Sequence, residues 1–145
     1  MKRWERKLDD MIKTDTSNYS NVNTPKILAV DFDGTLVQDK FPNIGELNVY
    51  LFELIKSLKK SGVKVILWTC RTDYEDGPKY LTDAINFCSE NGLVFDAVND
   101  NIEDVKQSFG KNPRKILANW YLDDKNIDIA TCEMVQIICG KEQKD

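Results

Sequence analysis

Apolar residues fall into short blocks along this chain, and their period changes from block to block. Ile27-Leu28-Ala29-Val30 is a continuous apolar run bounded by Pro25 and Gly34, the pattern of a short strand buried on both faces. The spacing predicts that strand over 26–31. Leu47, Tyr50, Leu51, Leu54, Ile55 and Leu58 then recur at helical spacing over 46–61, stopped by Gly62. Val63–Thr69 reads as a second buried strand. Residues 78–91 place Leu81, Ala84, Ile85 and Cys88 on one helical face, with Pro78 in the first turn and Gly92 as the stop. A third strand is predicted over 93–98, a short helix over 102–109, and further strands over 120–122 and 134–139. Strands alternating with helices imply right-handed βαβ units. The expected fold class is therefore α/β, a Rossmann-like three-layer domain around a five-stranded, mainly parallel sheet.

The pattern differs before Pro25. Trp4, Leu8, Met11 and Ile12 share one face at helical spacing, which predicts a short amphipathic helix over 1–13, docked on its own domain or offered to a partner or membrane. Residues 14–24 are mainly Thr, Asp, Ser, Asn and Tyr and read as a linker. The expected organisation is helix and linker over 1–24 and one domain over 25–145. A chain of 145 residues has room for one such domain and no second catalytic one.

Charge and composition narrow the partners. Net charge is −4, and the lysines are spread rather than clustered, which argues against a broad nucleic-acid-binding face and favours a small charged substrate. No apolar run approaches a membrane span and the N-terminus lacks a signal-peptide core, so the expected location is cytoplasmic, with no membrane partner. Cys70, Cys88, Cys132 and Cys139 form no CxxC pair and are expected to be reduced core thiols. The sequence has no histidine. Proton transfer near pH 7 must then fall to a carboxylate, lysine, tyrosine, cysteine or water.

The chemistry-bearing residues gather at predicted strand ends. Asp31 and Asp33 follow the first strand two residues apart, so the alternation of strand side chains turns both the same way. Ligands of open parallel sheets bind outside the carboxyl ends of the strands, and two like charges there call for a hard cation such as Mg²⁺. The second strand ends in Thr69-Cys70-Arg71, a hydroxyl and a fork of N–H donors suited to phosphoryl oxygens, although Arg71 is equally placed to pair with Asp73 or Glu75. The strand over 120–122 runs into Asp123-Asp124, with Asp128 a turn later. A turn alone, or a calcium loop, would also use Asp-x-Asp-Gly; the loop reading fails because no glutamate closes it and an apolar strand precedes it.

Asp31-Phe32-Asp33-Gly34-Thr35 resembles the DxDGT signature of the haloacid dehalogenase superfamily, with Thr69 in the place of its second motif and Asp123-Asp124 in that of its fourth. The resemblance runs from Ile27 to about Asp128 and is to the capless type, since the stretches after Thr35 and after Val98 are short. Lys115-Ile116-Leu117-Ala118-Asn119-Trp120-Tyr121-Leu122-Asp123-Asp124 also resembles a segment of 5′-deoxyribonucleotidases, with Asn119 departing from an Asp and a shorter lysine spacing. A looser likeness is to the phosphatase domain of polynucleotide kinase-phosphatases.

The resemblance implies a Mg²⁺-dependent phosphatase in which Asp31 is the nucleophile and Asp33 the acid and base. Asp31, Asp33 through its backbone carbonyl, Asp123 and Asp124 would hold the metal. Thr69 and Lys115, with Arg71, Gly34, Thr35 and the N–H groups around Phe32–Gly34, would hold the phosphoryl group. Four carboxylates, a phosphomonoester near −2 and Mg²⁺ leave the site at about −4, so one cation more is required and Asp33 is expected to be protonated for part of the cycle. Lys115 is the first candidate for that cation, with Arg114 and Lys106 behind it. One strand from Lys115 to Leu122 would carry the lysine more than about 20 Å from the far end, so the chain must break near Ala118-Asn119. Residues 36–45 are expected to act as a small flap over an open site. Such a site suits a small phosphorylated substrate such as a nucleotide, covered by a second subunit of a homo-oligomer, or a phosphoprotein or phosphorylated polynucleotide end. A receiver-like phospho-acceptor domain and a non-catalytic binding protein of the same fold are the competing classes.

Overall fold

The computed structural model describes residues 25–127. The expected helix over 1–13, the linker before Pro25, the strand over 134–139, Asp128, Cys132 and Cys139 lie outside them.

The first strand, β1 (Ile27–Val30), is buried at every position. Its side chains divide by parity. Leu28 and Val30 join one core cluster with Leu51, Phe52, Ile55, Ala84 and Cys88, while Ile27 and Ala29 join the other with Ile66, Ile102, Val105 and Ile116. The first cluster contains the apolar faces of α1 (Val49–Lys60) and α2 (Tyr80–Glu90), and the second contains Val105 of α3 (Glu103–Phe109). Helices therefore cover both faces of the sheet.

That sheet has four strands in the order β5–β4–β1–β6, with β4 at Lys64–Leu67, β5 at Ala97–Val98 and β6 at Trp120–Leu122. Every pairing is parallel, with Val30 opposite Leu67 and Leu122. The described part is thus an α/β fold with a four-stranded parallel sheet and three helices. The fifth expected strand falls outside it.

Several boundaries differ from the sequence expectation for local reasons. β5 starts four residues late because Asp96 replaces ladder with side chain: its carboxylate accepts the Val65 N–H at 2.8 Å while its own N–H donates to the Val65 carbonyl. α1 starts at Val49 because Asn48 caps it, accepting the Leu51 N–H at 3.2 Å. Phe52 rather than Tyr50 then faces the core, and Tyr50 is 43% exposed. α2 starts at Tyr80, where Asp73 accepts the N–H groups of Leu81 and Thr82, each at 3.0 Å. Cys88 is buried, which pushes its thiol up to about 12, whereas Cys70 is exposed and is no core thiol.

The stretch expected as a flap is an antiparallel hairpin, β2 (Val37–Lys40) and β3 (Asn43–Leu47). A Cβ on Gly45 would stand 2.0 Å from the Gln38 carbonyl oxygen, so only glycine lets the two strands approach this closely. No helix among the described residues is long and apolar enough to cross a membrane.

Candidate functional site: an acidic cluster at the strand ends

β1 and β6 lie side by side, so the residues that follow them meet. The Asp31 N–H donates to the Leu122 carbonyl at 2.9 Å, extending the ladder one step to the point where Asp123 begins. Gly34 then turns the chain at φ +84, and a Cβ there would stand 2.3 Å from an Asp124 carboxylate oxygen. Glycine is required both by the backbone conformation and by this approach.

Carboxylate oxygens of Asp31, Asp123 and Asp124 all lie within 4.8 Å of one another. Thr35, buried behind them, ties the cluster together. Its hydroxyl donates to Asp31 Oδ2 at 3.0 Å and accepts the Asp124 N–H at 3.1 Å. One side chain thereby fixes two of the three acids across the β1–β6 boundary.

The cluster carries an electrostatic cost that a cation would relieve. Burial first, and then repulsion from Asp123, push Asp31 up to about 7, against the lowering effect of the Thr35 hydroxyl and the Phe32 N–H. Burial also opposes charge on Asp124, but hydrogen bonds from Lys125 and within the acid cluster hold its carboxyl below the usual range. Lys125 Nζ lies 3.3 Å from Asp124 Oδ2 on a largely exposed side chain. Three carboxylates presenting oxygen ligands from two adjoining chain segments form a donor set suited to a hard divalent cation.

Asp33 stands apart from this cluster. Its carboxylate is gripped by Arg71, with Nε on Oδ2 at 2.7 Å and Nη2 on Oδ1 at 2.8 Å. The shared direction expected of Asp31 and Asp33 does not extend past β1, because the strand ends at Val30 and the chain turns at Phe32. Arg71 pairs with neither Asp73 nor Glu75; Asp73 is engaged in capping α2.

The remaining candidates take separate places. Thr69 follows β4, where its N–H donates to Asn99 Oδ1 at 2.8 Å and its hydroxyl accepts the Arg71 N–H at 3.1 Å. Lys115 is exposed and sets its ammonium over the Tyr121 ring, 5.7 Å from the centroid and two residues before Asp123. β6 begins only at Trp120, so Lys115 lies outside the strand, and Asn119 closes the break by donating its N–H to the Ile27 carbonyl and accepting the Ile27 N–H. Lys106 is bound to Asp100 at 2.6 Å, and Arg114 is exposed.

Sequence reading missed Lys125 and Asn99. The first is visible in principle as a cation directly after the acidic pair. Asn99 adopts φ 51, and no local signal distinguishes it from other asparagines at a strand end.

The chain as a whole is similar to a solved structure. A conserved protein from Bacteroides thetaiotaomicron is 33% identical to this chain, with a TM-score of 0.59, over 84% of this chain and 94% of that one. The chain belongs to the family of that conserved protein. No family model matches it, and no curated protein does.

Proposed function

We propose that this chain is a Mg²⁺-dependent phosphatase with a Rossmann-like core, related to the haloacid dehalogenases, that hydrolyses a phosphomonoester through an aspartyl-phosphate. The observation that carries this reading is the acid cluster of Asp31, Asp123 and Asp124 at the carboxyl ends of β1 and β6, locked by Thr35. Such a crevice is where open parallel sheets bind their ligands. Its chemistry suits phosphoryl transfer, in which positioning and charge compensation do most of the work.

In this reading the three carboxylates, with the backbone carbonyl of Asp33, hold Mg²⁺. Bound there, the cation offsets the charge of the acids and of the phosphoryl oxygens. A carboxylate oxygen of Asp31 attacks phosphorus, the bond from phosphorus to the leaving oxygen breaks, and that oxygen takes a proton from Asp33. Water then attacks the phosphoryl group and gives a proton back to Asp33. The bond to Asp31 breaks, which returns the aspartate and releases inorganic phosphate. Thr69 and Lys115 serve the phosphoryl oxygens.

The substrate is a phosphorylated small molecule, with nucleotides the first class to screen and polynucleotide ends and phosphoproteins after them. The deciding test is steady-state turnover of 4-nitrophenyl phosphate with and without Mg²⁺. Multiple turnovers that vanish in Asp31→Asn support the reading. A single phosphorylation without turnover indicates a phospho-acceptor domain, and wild-type rates in Asp31→Asn remove the nucleophile assignment.

A further inference from the structure

Arg71 is the most completely engaged polar side chain among the described residues. The residue is 3% exposed, and hydrogen bonds account for all five of its guanidinium N–H groups. Nε and one Nη2 hydrogen hold the two oxygens of Asp33 at 2.7 and 2.8 Å. The other Nη2 hydrogen goes to the Asn43 carbonyl at 3.0 Å, and Nη1 donates to the carbonyls of Pro42 and Tyr80 at 3.3 and 3.4 Å. Phe32 and Phe41 stack against the guanidinium, with ring centroids 5.0 and 5.1 Å from Cζ. The backbone N–H of Arg71 donates to the Thr69 hydroxyl.

A side chain in this state has no donor left for a phosphoryl oxygen. We infer that Arg71 is a positioning residue for the reaction: it fixes the carboxylate of Asp33 against the β2–β3 hairpin so that Asp33 exchanges its proton with the leaving oxygen at one place. This rests on the phosphatase reading and goes beyond it, because it moves Arg71 from binding substrate to aiming another group. Each Asp33 oxygen spends one lone pair on Arg71 and keeps a second. The bidentate fork fixes where that second lone pair points, which a lysine could not do. The hairpin carbonyls fix the fork in turn, so β2–β3 is bolted to the site rather than hinged over it.

The test compares wild type with Arg71→Lys on two esters, phenyl phosphate with a poor leaving group and 4-nitrophenyl phosphate with a good one. Proton donation matters most for the poor one. Arg71→Lys is expected to lower kcat/KM for phenyl phosphate by about 10- to 100-fold and for 4-nitrophenyl phosphate by less than about threefold. Inhibition by inorganic phosphate should stay within about twofold, since Arg71 does not touch it. Equal losses on the two esters would leave Arg71 a purely structural role, and phosphate inhibition weakened tenfold would make it a phosphate ligand; either result overturns the inference. A wild type that turns over neither ester fails the phosphatase reading itself and the positioning role with it.

Should Arg71→Lys not fold, ¹⁵N spectra of the Arg71 Nε–H in wild type and Asp33→Asn decide the matter. The resonance is expected to move in Asp33→Asn and to stay in place when inorganic phosphate and Mg²⁺ are added to wild type. A shift on adding phosphate, or none in Asp33→Asn, overturns the assignment.

Discussion

A carboxyl that burial and a neighbouring acid have pushed up to about 7 must lose its proton before it can take a cation or attack phosphorus. The native value of Asp31 lies above the ordinary 3.8, so the metal-free fold holds a proton that the unfolded chain releases. The contribution of Asp31 is therefore greatest below about pH 4 and is lost as pH rises towards 7. A bound cation reverses the sign by favouring the charged form. Calorimetry of Mn²⁺ or Mg²⁺ binding in buffers of different ionisation enthalpy should show release of about one proton near pH 6 and almost none near pH 9, with the release absent in Asp31→Asn. Thr35→Val keeps the shape but removes the hydroxyl between Asp31 and Asp124. It should cost about 1–3 kcal/mol in denaturant melts and weaken metal binding, while Thr35→Ser retains both. Asp31, Asp123 and Asp124 were legible as part of one acidic group, with Asp33, because they stand within two residues of the ends of apolar strands. The separation of Asp33 from them was not. Strand alternation turns Asp31 and Asp33 the same way, whereas the turn at Phe32 delivers Asp33 to an arginine 38 residues away.

Among the described elements, the helices and buried strands with strong apolar periodicity appear close to where the pattern puts them, β5 being shortened, and the element the pattern does not show is the hairpin. Val37 is its only fully buried residue, and Gln38, Asp39 and Lys40 are exposed, so neither strand offers the alternation that marks a half-buried sheet. What holds the hairpin is its contact with Arg71 and the close approach at Gly45, and neither is written in a local period. Gly45→Ala forces a Cβ onto the Gln38 carbonyl, a backbone atom that cannot swing aside. It should destabilise the fold by about 1–3 kcal/mol in equilibrium unfolding, with a smaller effect on metal affinity than Thr35→Val. Helix starts were misjudged by two or three residues because their caps, Asn48 and Asp73, lie on segments whose own conformation had to be known first.

For the molecule as a whole, the order β5–β4–β1–β6 puts β1, the strand that leads into Asp31, between two neighbours and gathers Asp31, Thr69, Asn99 and Asp123 along one edge. Parallel topology could be read from the alternation of strands and helices; the neighbour of each strand could not, since that is decided by which apolar faces fit. Because the acid cluster forms only in the folded state, Mg²⁺ should raise the melting temperature with concentration, equivalent to about 2.7 kcal/mol at one hundred times its Kd. Asp124→Asn should flatten that dependence in a thermal-shift titration.

The bond from the Asp124 N–H to the Thr35 hydroxyl joins residues 89 apart in the chain. During translation at roughly 5–20 residues per second, Asp31 and Thr35 leave the ribosome roughly 5–18 s ahead of the residues that complete their surroundings. A nascent chain arrested before β6 would carry Asp31 and Thr35 without Asp123 and Asp124. Whatever chemistry this edge performs is therefore withheld until synthesis of the described domain is almost finished.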